Sequence, residues 1–132
     1  MKALDTNIII RFLVNDDKKQ GEAVKTLFLK TEKKGESFFI TNTVLLETIY
    51  VLDSVYEYER KEILNALELM SMMKIIIFEN PDVVHHLINS GRKSKTELED
   101  LLIGIIAKEY GCESTITFDK KAAASKLFEM LY

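Results

Sequence analysis

Four acidic residues of this chain occupy positions from which their carboxylates can act together. Asp5 and Asp119 each follow a short apolar run that is typical of a buried strand, and Glu47 and Asp100 each lie in the first turns of a predicted helix. In an open α/β sheet, ligands bind at the edge formed by the carboxyl ends of the strands and the starts of the helices that follow. We therefore predict that the four carboxylates face one cleft.

Such a group of acids is better explained by a ligand than by folding stability. Two carboxylates 4 Å apart repel each other by about 4 kcal/mol at an effective dielectric constant near 20. Oxygen ligands without an accompanying histidine or cysteine favour hard divalent cations, so Mg2+ or Mn2+ is the predicted cofactor. A metal held by acids, with open coordination positions, activates water and neutralises phosphate oxygens. The predicted chemistry is therefore displacement at a phosphate ester.

Each acid also has a purely structural interpretation. Asp5 can cap the helix that follows it, and Asp119 can be a turn residue. Glu47, taken alone, is typical of a solvated acid on a helix. Asp100 lies beside six apolar residues, where a buried charge needs a partner, so a structural role explains it least well.

The elements that must position these acids alternate between strands and helices. Apolar runs predict strands before Asp5 and at residues 38–40, 74–78, 115–118 and 128–131, and periodic apolar residues predict helices at 7–13, 20–33, 42–55, 59–73, 81–90 and 100–110. This alternation implies a parallel sheet with right-handed crossovers. The predicted fold is α/β, a three-layer sandwich with a central, mostly parallel sheet of four or five strands and helices on both faces. It forms one domain over residues 1–132.

Polar residues at the predicted helix starts supply the expected caps. Asn7 is the expected cap of the first helix, and either Thr41 or Asn42 caps the third. Thr96 and Glu99 have the spacing of a capping box for the last helix, which we expect to be buried nearly all round.

Composition excludes several classes of protein. With 132 residues, 47% of them hydrophobic and 30% charged, the chain is an ordinary globular domain. No apolar run approaches the roughly 20 residues of a membrane helix, and no signal peptide is recognisable. The single cysteine, Cys112, suggests a reducing, cytoplasmic environment. A net charge of −3 argues against nucleic-acid binding by a basic patch alone, but not against an enzyme that uses metal.

Short motifs surround the four acids. They are Asp5-Thr6-Asn7 followed by Ile8-Ile9-Ile10-Arg11-Phe12-Leu13, then Leu45-Leu46-Glu47-Thr48, then Glu99-Asp100-Leu101-Leu102-Ile103, and finally Gly111-Cys112 leading to Thr117-Phe118-Asp119-Lys120-Lys121. In their order and spacing these motifs resemble those of the PIN-domain nucleases, and in particular the VapC-like ribonuclease toxins of toxin–antitoxin pairs. The resemblance covers essentially the whole chain.

The resemblance implies a PIN-like fold and a metal-dependent endoribonuclease. The family's four acids fall on Asp5, Glu47, Asp100 and Asp119, which would hold Mg2+ or Mn2+ while a metal-activated water attacks the scissile phosphorus. The resemblance also covers three residues beside the acids, which would orient the metal ligands without binding the metal themselves: Thr6, Asn7 and Thr117. A further acid found in some members would correspond to Glu97. The resemblance also implies a homodimer, an RNA substrate and a cognate antitoxin.

Basic residues near these motifs are candidates for steering RNA: Arg92, Lys93, Lys95, Lys120 and Lys121. A solvated charge run explains them equally well. Two other functions also fit the scaffold. One is a phosphoryl-transfer domain with Asp5 as nucleophile, although Asn7 stands where such folds generally have a second aspartate. The other is a non-catalytic interaction module, against which the four retained acids weigh.

Overall fold

Helices and short parallel strands alternate along the chain, as the sequence predicts. The computed structural model describes residues 1–132 and contains six α-helices, five β-strands and one 3-10 helix. These elements form two compact units, Met1–Pro81 and Asp82–Tyr132. None of the helices combines the length and the hydropathy that crossing a membrane requires.

The first unit contains a three-stranded parallel sheet and four helices. Its elements are β1 (Lys2–Ala3), α1 (Thr6–Leu13), α2 (Lys18–Lys33), β2 (Phe38–Ile40), α3 (Asn42–Ser54), α4 (Arg60–Ser71) and β3 (Ile76–Phe78). The strand order is β1-β2-β3, so the central strand is β2. Phe38 lies opposite Lys2 on one side and Ile76 on the other, and both pairings are parallel. Each crossover between neighbouring strands contains two helices.

The helix starts of this unit follow from its capping residues. The side chain of Asp17 accepts a hydrogen bond from the Gln20 amide at 2.9 Å, which starts α2 two residues earlier than predicted. Of the two predicted caps for α3, Thr41 performs the role, because its hydroxyl accepts from the Val44 amide at 3.1 Å. Such side chains satisfy amide groups that have no partner within the helix.

The apolar stripe predicted for α3 forms the centre of the first unit's core. Leu45, Ile49 and Leu52 retain at most 1% of their surface in solvent. Helix α4 adds Leu67 and Met70, which are fully buried. Burying each side chain of this size contributes roughly 1.5–3 kcal/mol before conformational entropy is counted. This core fixes α3, the helix that carries Glu47.

The second unit contains two helices, two strands and a short 3-10 helix. Helix α5 (Pro81–Lys93) begins at the last residue of the first unit, and it is followed by α6 (Leu98–Glu109), β4 (Thr115–Thr117), the 3-10 helix Ala122–Ala124 and β5 (Phe128–Met130). Strands β4 and β5 pair in parallel, with Thr115 opposite Phe128. Gly104 of α6 lies so close to the segment before β5 that a Cβ there would be 2.8 Å from the Leu127 Cβ.

The structure confirms a mixed α/β fold with parallel strands and six helices. The strands are divided between a sheet of three and a sheet of two, where the sequence predicted one sheet of four or five. The division has a simple cause: β4 pairs with β5, and neither of these strands pairs with β1, β2 or β3. Strands of two or three residues make few ladder bonds, so their pairing is difficult to predict from apolar runs.

Helix α6 differs from the prediction at its start and on one face. Its N-cap position is Glu97, whose side chain makes no capping hydrogen bond, and the predicted cap Thr96 lies one residue earlier. The prediction that the helix is buried nearly all round is wrong, because Ile103 is 44% exposed. Leu101, Leu102 and Ile105 are buried as expected.

Candidate active site

Asp5 links the first strand to the first helix. The Leu4 amide still donates to the Phe39 carbonyl at 3.0 Å, and Asp5 then occupies the N-cap position of α1. Its Oδ1 accepts a hydrogen bond from the Thr6 amide at 2.8 Å. Asp5 therefore caps this helix, and the predicted cap Asn7 lies inside the first turn. The cap uses one oxygen of an exposed carboxylate and leaves the other available for a ligand.

Thr6 connects the start of α1 to the carboxylate of Glu47 on α3. Its hydroxyl donates a hydrogen bond to Glu47 Oε1. Thr6 is only 4% exposed, whereas Glu47 is exposed. A buried hydroxyl thus fixes one oxygen of a solvent-facing acid. Thr6 therefore contacts both acids of the first unit, with its amide donating to Asp5 and its hydroxyl donating to Glu47.

Asp100 and Asp119 form the corresponding pair of acids in the second unit. Asp100 is partly buried in the first turn of α6. Burial raises the pKa of Asp100, and the negative charge of Asp119 raises it further. The two carboxylates are therefore close enough for their charges to repel each other.

Thr117 and Lys121 fix the backbone around Asp119. The Asp119 amide donates to the Thr117 hydroxyl at 2.9 Å, and Asp119 Oδ1 accepts from the Lys121 amide at 2.9 Å. Thr117 therefore holds the turn that carries the acid, in agreement with its predicted supporting position. Asp119 is exposed, and its second oxygen is left for a ligand.

Each unit thus supplies two carboxylates that are supported by threonine or backbone hydrogen bonds. Neither unit by itself gathers three or more acidic, histidine or cysteine side chains in a metal-binding arrangement. The donors are all oxygens, which is the ligand chemistry that Mg2+ and Mn2+ prefer. The chain therefore provides two pairs of carboxylates, one in each unit, whose oxygens have the appropriate ligand chemistry.

The remaining predicted residues lie on the surface of the two units. Asn7 is exposed and lines a cavity of about 340 Å3 with Arg11 and Gln20. Glu97 is exposed at the N-cap of α6. The basic candidates for steering are also exposed: Arg92, Lys93, Lys95, Lys120 and Lys121. No contact in the structure joins Glu97 or Asn7 to an acid of either pair.

Sequence reasoning missed a polar network around Arg11. The guanidinium donates to Gln20 Oε1 at 2.6 Å, to Asp16 Oδ1 at 3.3 Å and to the Tyr56 hydroxyl at 3.2 Å. Tyr56 in turn donates to Asp16 Oδ2 at 2.8 Å. The hydrogen bond that Arg11 donates to the Tyr56 hydroxyl raises the pKa of Arg11. This network connects α1 with the start of α2 and with Tyr56, which follows α3. The sequence feature that could have indicated it is an arginine within an otherwise apolar helix.

A family model for the PIN domain matches residues 2–126. The chain belongs to the PIN domain family. The match includes residues of both units and all four acids.

Among curated proteins, this PIN domain is similar to a VapC ribonuclease of Aquifex aeolicus (strain VF5). The two chains are 26% identical over 121 residues, which cover 92% of this chain and 89% of the relative. No solved structure matches this PIN domain. Membership of the family and similarity to a named ribonuclease together support a VapC-like nuclease.

Proposed function

We propose that this PIN domain is a metal-dependent endoribonuclease and the toxin of a type II toxin–antitoxin pair. In this proposal Asp5, Glu47, Asp100 and Asp119 together hold Mg2+ or Mn2+. The observation that supports it best is the family match over residues 2–126, which contains both pairs of carboxylates. The similar protein named VapC ribonuclease supports RNA as the substrate.

The residues of this chain have separable roles in the proposed reaction. Asp5 and Asp119 each keep one carboxylate oxygen in a backbone hydrogen bond and offer the other to the ion. Thr6 orients Glu47 through its hydroxyl. The ion, when bound, would activate water and neutralise charge on the phosphate oxygens. Lys120 and Lys121, both exposed, would attract the phosphate backbone.

Binding of the ion would also reduce the repulsion among the acids. In the metal-free protein, Asp119 and burial both disfavour the charged form of Asp100. A divalent cation requires ionised ligands, so metal binding and loss of protons are coupled. We expect metal affinity to fall as the pH is lowered through the raised pKa of Asp100.

Metal dependence is the first test of this proposal. Purified protein should cut a mixed set of structured and single-stranded RNAs in Mg2+ or Mn2+, and cleavage should stop in excess chelator and return when the metal is restored. Gel analysis of end-labelled RNA measures both results. Folded protein, free of bound inhibitor, that cuts no RNA in either metal would favour the non-catalytic alternative.

Thr6→Val tests how the first pair of acids is supported. The change preserves the shape of a buried side chain and removes the hydroxyl that donates to Glu47. We expect roughly a 10- to 100-fold loss in metal affinity or cleavage, as is typical for groups that orient metal ligands. A metal titration of the cleavage rate measures the effect.

The conservative replacement Thr6→Ser is the control for this experiment. Serine keeps the donor, so most of the activity should remain. Wild-type activity in the valine variant, or a loss confined to the serine variant, would mean that packing of the methyl group, and not orientation of Glu47, supports the site.

The toxin role implies partners and a location. We propose a homodimer, a cognate antitoxin whose basic side chain competes with metal for the carboxylates, and RNA as the substrate. The exposed thiol of Cys112 suits a reducing compartment, so the cytoplasm is the proposed location. Sedimentation of the purified protein distinguishes the dimer from a monomer.

A further inference from the structure

Two aromatic rings lie in solvent beside one of the proposed metal ligands. Phe118 is 64% exposed and Tyr132 is 90% exposed. Their ring centroids are 5.3 Å apart, with the planes tilted by 57°. The contact covers little of either ring, because most of both surfaces remains open. We refer to Phe118 and Tyr132 as the aromatic pair.

The β4–β5 ladder explains why the two rings meet. Beyond the last paired residues, the Leu131 amide donates to the Thr117 carbonyl at 3.0 Å, which carries Tyr132 alongside Phe118. Phe118 itself lies between Thr117 and Asp119, and the hydrogen bond between those two residues fixes its backbone. The aromatic pair is therefore attached to the same rigid turn that holds the Asp119 carboxylate.

The surroundings of the aromatic pair favour a nucleic acid over an apolar partner. Lys120 and Lys121 follow Asp119 directly, and both are exposed. Cations beside open aromatic faces are the combination that binds unpaired nucleotides, since lysines attract the phosphates and bases stack on the rings. A base-paired helix keeps its base faces stacked and cannot use such a surface.

We propose that the aromatic pair is a stacking platform for an unpaired RNA base next to the catalytic acids. The platform would hold one unpaired nucleotide, whether it comes from a single strand or from a loop or bulge of a folded RNA. This inference rests on the proposed ribonuclease function for its placement beside the cleavage site. It adds a specificity determinant: the platform selects RNAs that can present a free base near Asp119.

Binding measured without cleavage tests the platform directly. Fluorescence anisotropy in chelator gives the dissociation constant for a labelled single-stranded RNA and for a duplex of the same length. We expect Phe118→Leu to weaken binding of the single strand by roughly tenfold, as expected for loss of one base–aromatic stack, and to leave duplex binding almost unchanged. Tyr132→Leu should act in the same direction, and the double variant should lose more.

Two substitutions serve as matched controls. Phe118→Trp keeps an aromatic face and should retain wild-type affinity. Ile116→Ala truncates another exposed apolar side chain of β4, 61% exposed, and should change binding little. Thermal unfolding should be similar in all variants, because the replaced side chains are largely in solvent. Single-stranded RNA with abasic positions should bind wild-type protein about as weakly as intact RNA binds Phe118→Leu.

Several results would overturn the inference. Unchanged RNA affinity in Phe118→Leu would do so, as would an equal loss in Ile116→Ala. A change in the sedimentation of Phe118→Leu, with RNA affinity unaltered, would instead assign the surface to a protein contact. Metal-dependent cleavage by the wild type, combined with unaltered RNA affinity in Phe118→Leu, would reject the platform and leave the proposed ribonuclease function in place. Ring-dependent binding without cleavage in any metal would reject the proposed enzyme and keep the binding surface.

Discussion

Asp100→Asn is expected to lower metal-dependent RNA cleavage by about a thousandfold. The substitution keeps the size of the side chain and removes one charged oxygen ligand from the proposed site. Charge stabilisation by a bound metal is worth several kcal/mol in the transition state, and each 1.36 kcal/mol corresponds to a factor of ten in rate. Single-turnover cleavage of labelled RNA in saturating Mg2+ measures the loss.

The same substitution should not destabilise the metal-free protein. Burial and the charge of Asp119 raise the pKa of Asp100 above its unfolded value. Its ionised form therefore disfavours folding above the raised pKa, and this penalty disappears as the pH falls below the unfolded value. Asp100→Asn should be at least as stable as the wild type at neutral pH, and the difference should shrink in acid. Denaturant unfolding in chelator at several pH values checks this.

Glu99→Gln is the matched control, because it removes a charge one residue earlier in the same helical turn. It should retain cleavage within a few-fold of the wild type. Expression of the wild-type chain should also arrest bacterial growth, and expression of Asp100→Asn should not. Full cleavage by Asp100→Asn, or an equal loss in Glu99→Gln, would contradict the assignment of Asp100 as a metal ligand.

The second large effect is expected at Gly104, a glycine inside helix α6. A Cβ on Gly104 would be 2.8 Å from the Leu127 Cβ and 2.9 Å from the Phe128 Cε2, closer than packed carbon atoms allow. Gly104→Ala should therefore lower the free energy of unfolding by about 1–3 kcal/mol, the usual cost of overpacking. Urea denaturation followed by circular dichroism measures it.

At Gly21 of α2, substitution by alanine is expected to change the free energy of unfolding in the opposite direction. Its added Cβ would meet the Asn15 Oδ1 at 3.7 Å and the Arg11 carbonyl at 3.9 Å, which are ordinary contacts. Alanine there restricts the unfolded chain and favours the helix, so Gly21→Ala should raise stability by about 0.4–1 kcal/mol. If both variants changed stability in the same direction, the close approach at Gly104 would not be the cause of its loss.

Much of the fold could be predicted from the sequence because local patterns determine it. The stripe Leu45, Ile49 and Leu52 is buried as its spacing predicts, and Gly35 follows α2 with a φ of 66°. The division into two sheets could not be predicted, since it depends on which short strands share hydrogen bonds. The exposure of Ile103 also depends on which elements pack against α6, and the sequence of that helix alone does not indicate them.

The candidate site was predictable as a set of acids but not in its supporting contacts. Strand ends and helix starts identified Asp5 and Asp100, because their positions follow from local patterns. The hydrogen bond from Thr6 to Glu47 joins residues 41 positions apart in the chain. Local sequence patterns span only a few residues, so they could not predict this contact. The Arg11 network is of the same kind, with Tyr56 lying 45 positions away in the chain.

The connection between β4 and β5 limits how this end of the protein can move. Residues 118–127 join two parallel strands, and ten residues is close to the shortest crossover that parallel strands permit. This segment is folded on itself: the Ala123 amide donates to the Asp119 carbonyl at 3.0 Å, and the Ser125 amide donates to the Ala122 carbonyl at 3.0 Å. These local hydrogen bonds oppose a swing of the segment over a substrate. Phe118, Asp119 and the two lysines all lie on it. In the proposed reaction, an RNA strand would therefore adapt its own shape to this surface, and the energetic cost of ordering would fall on the nucleic acid.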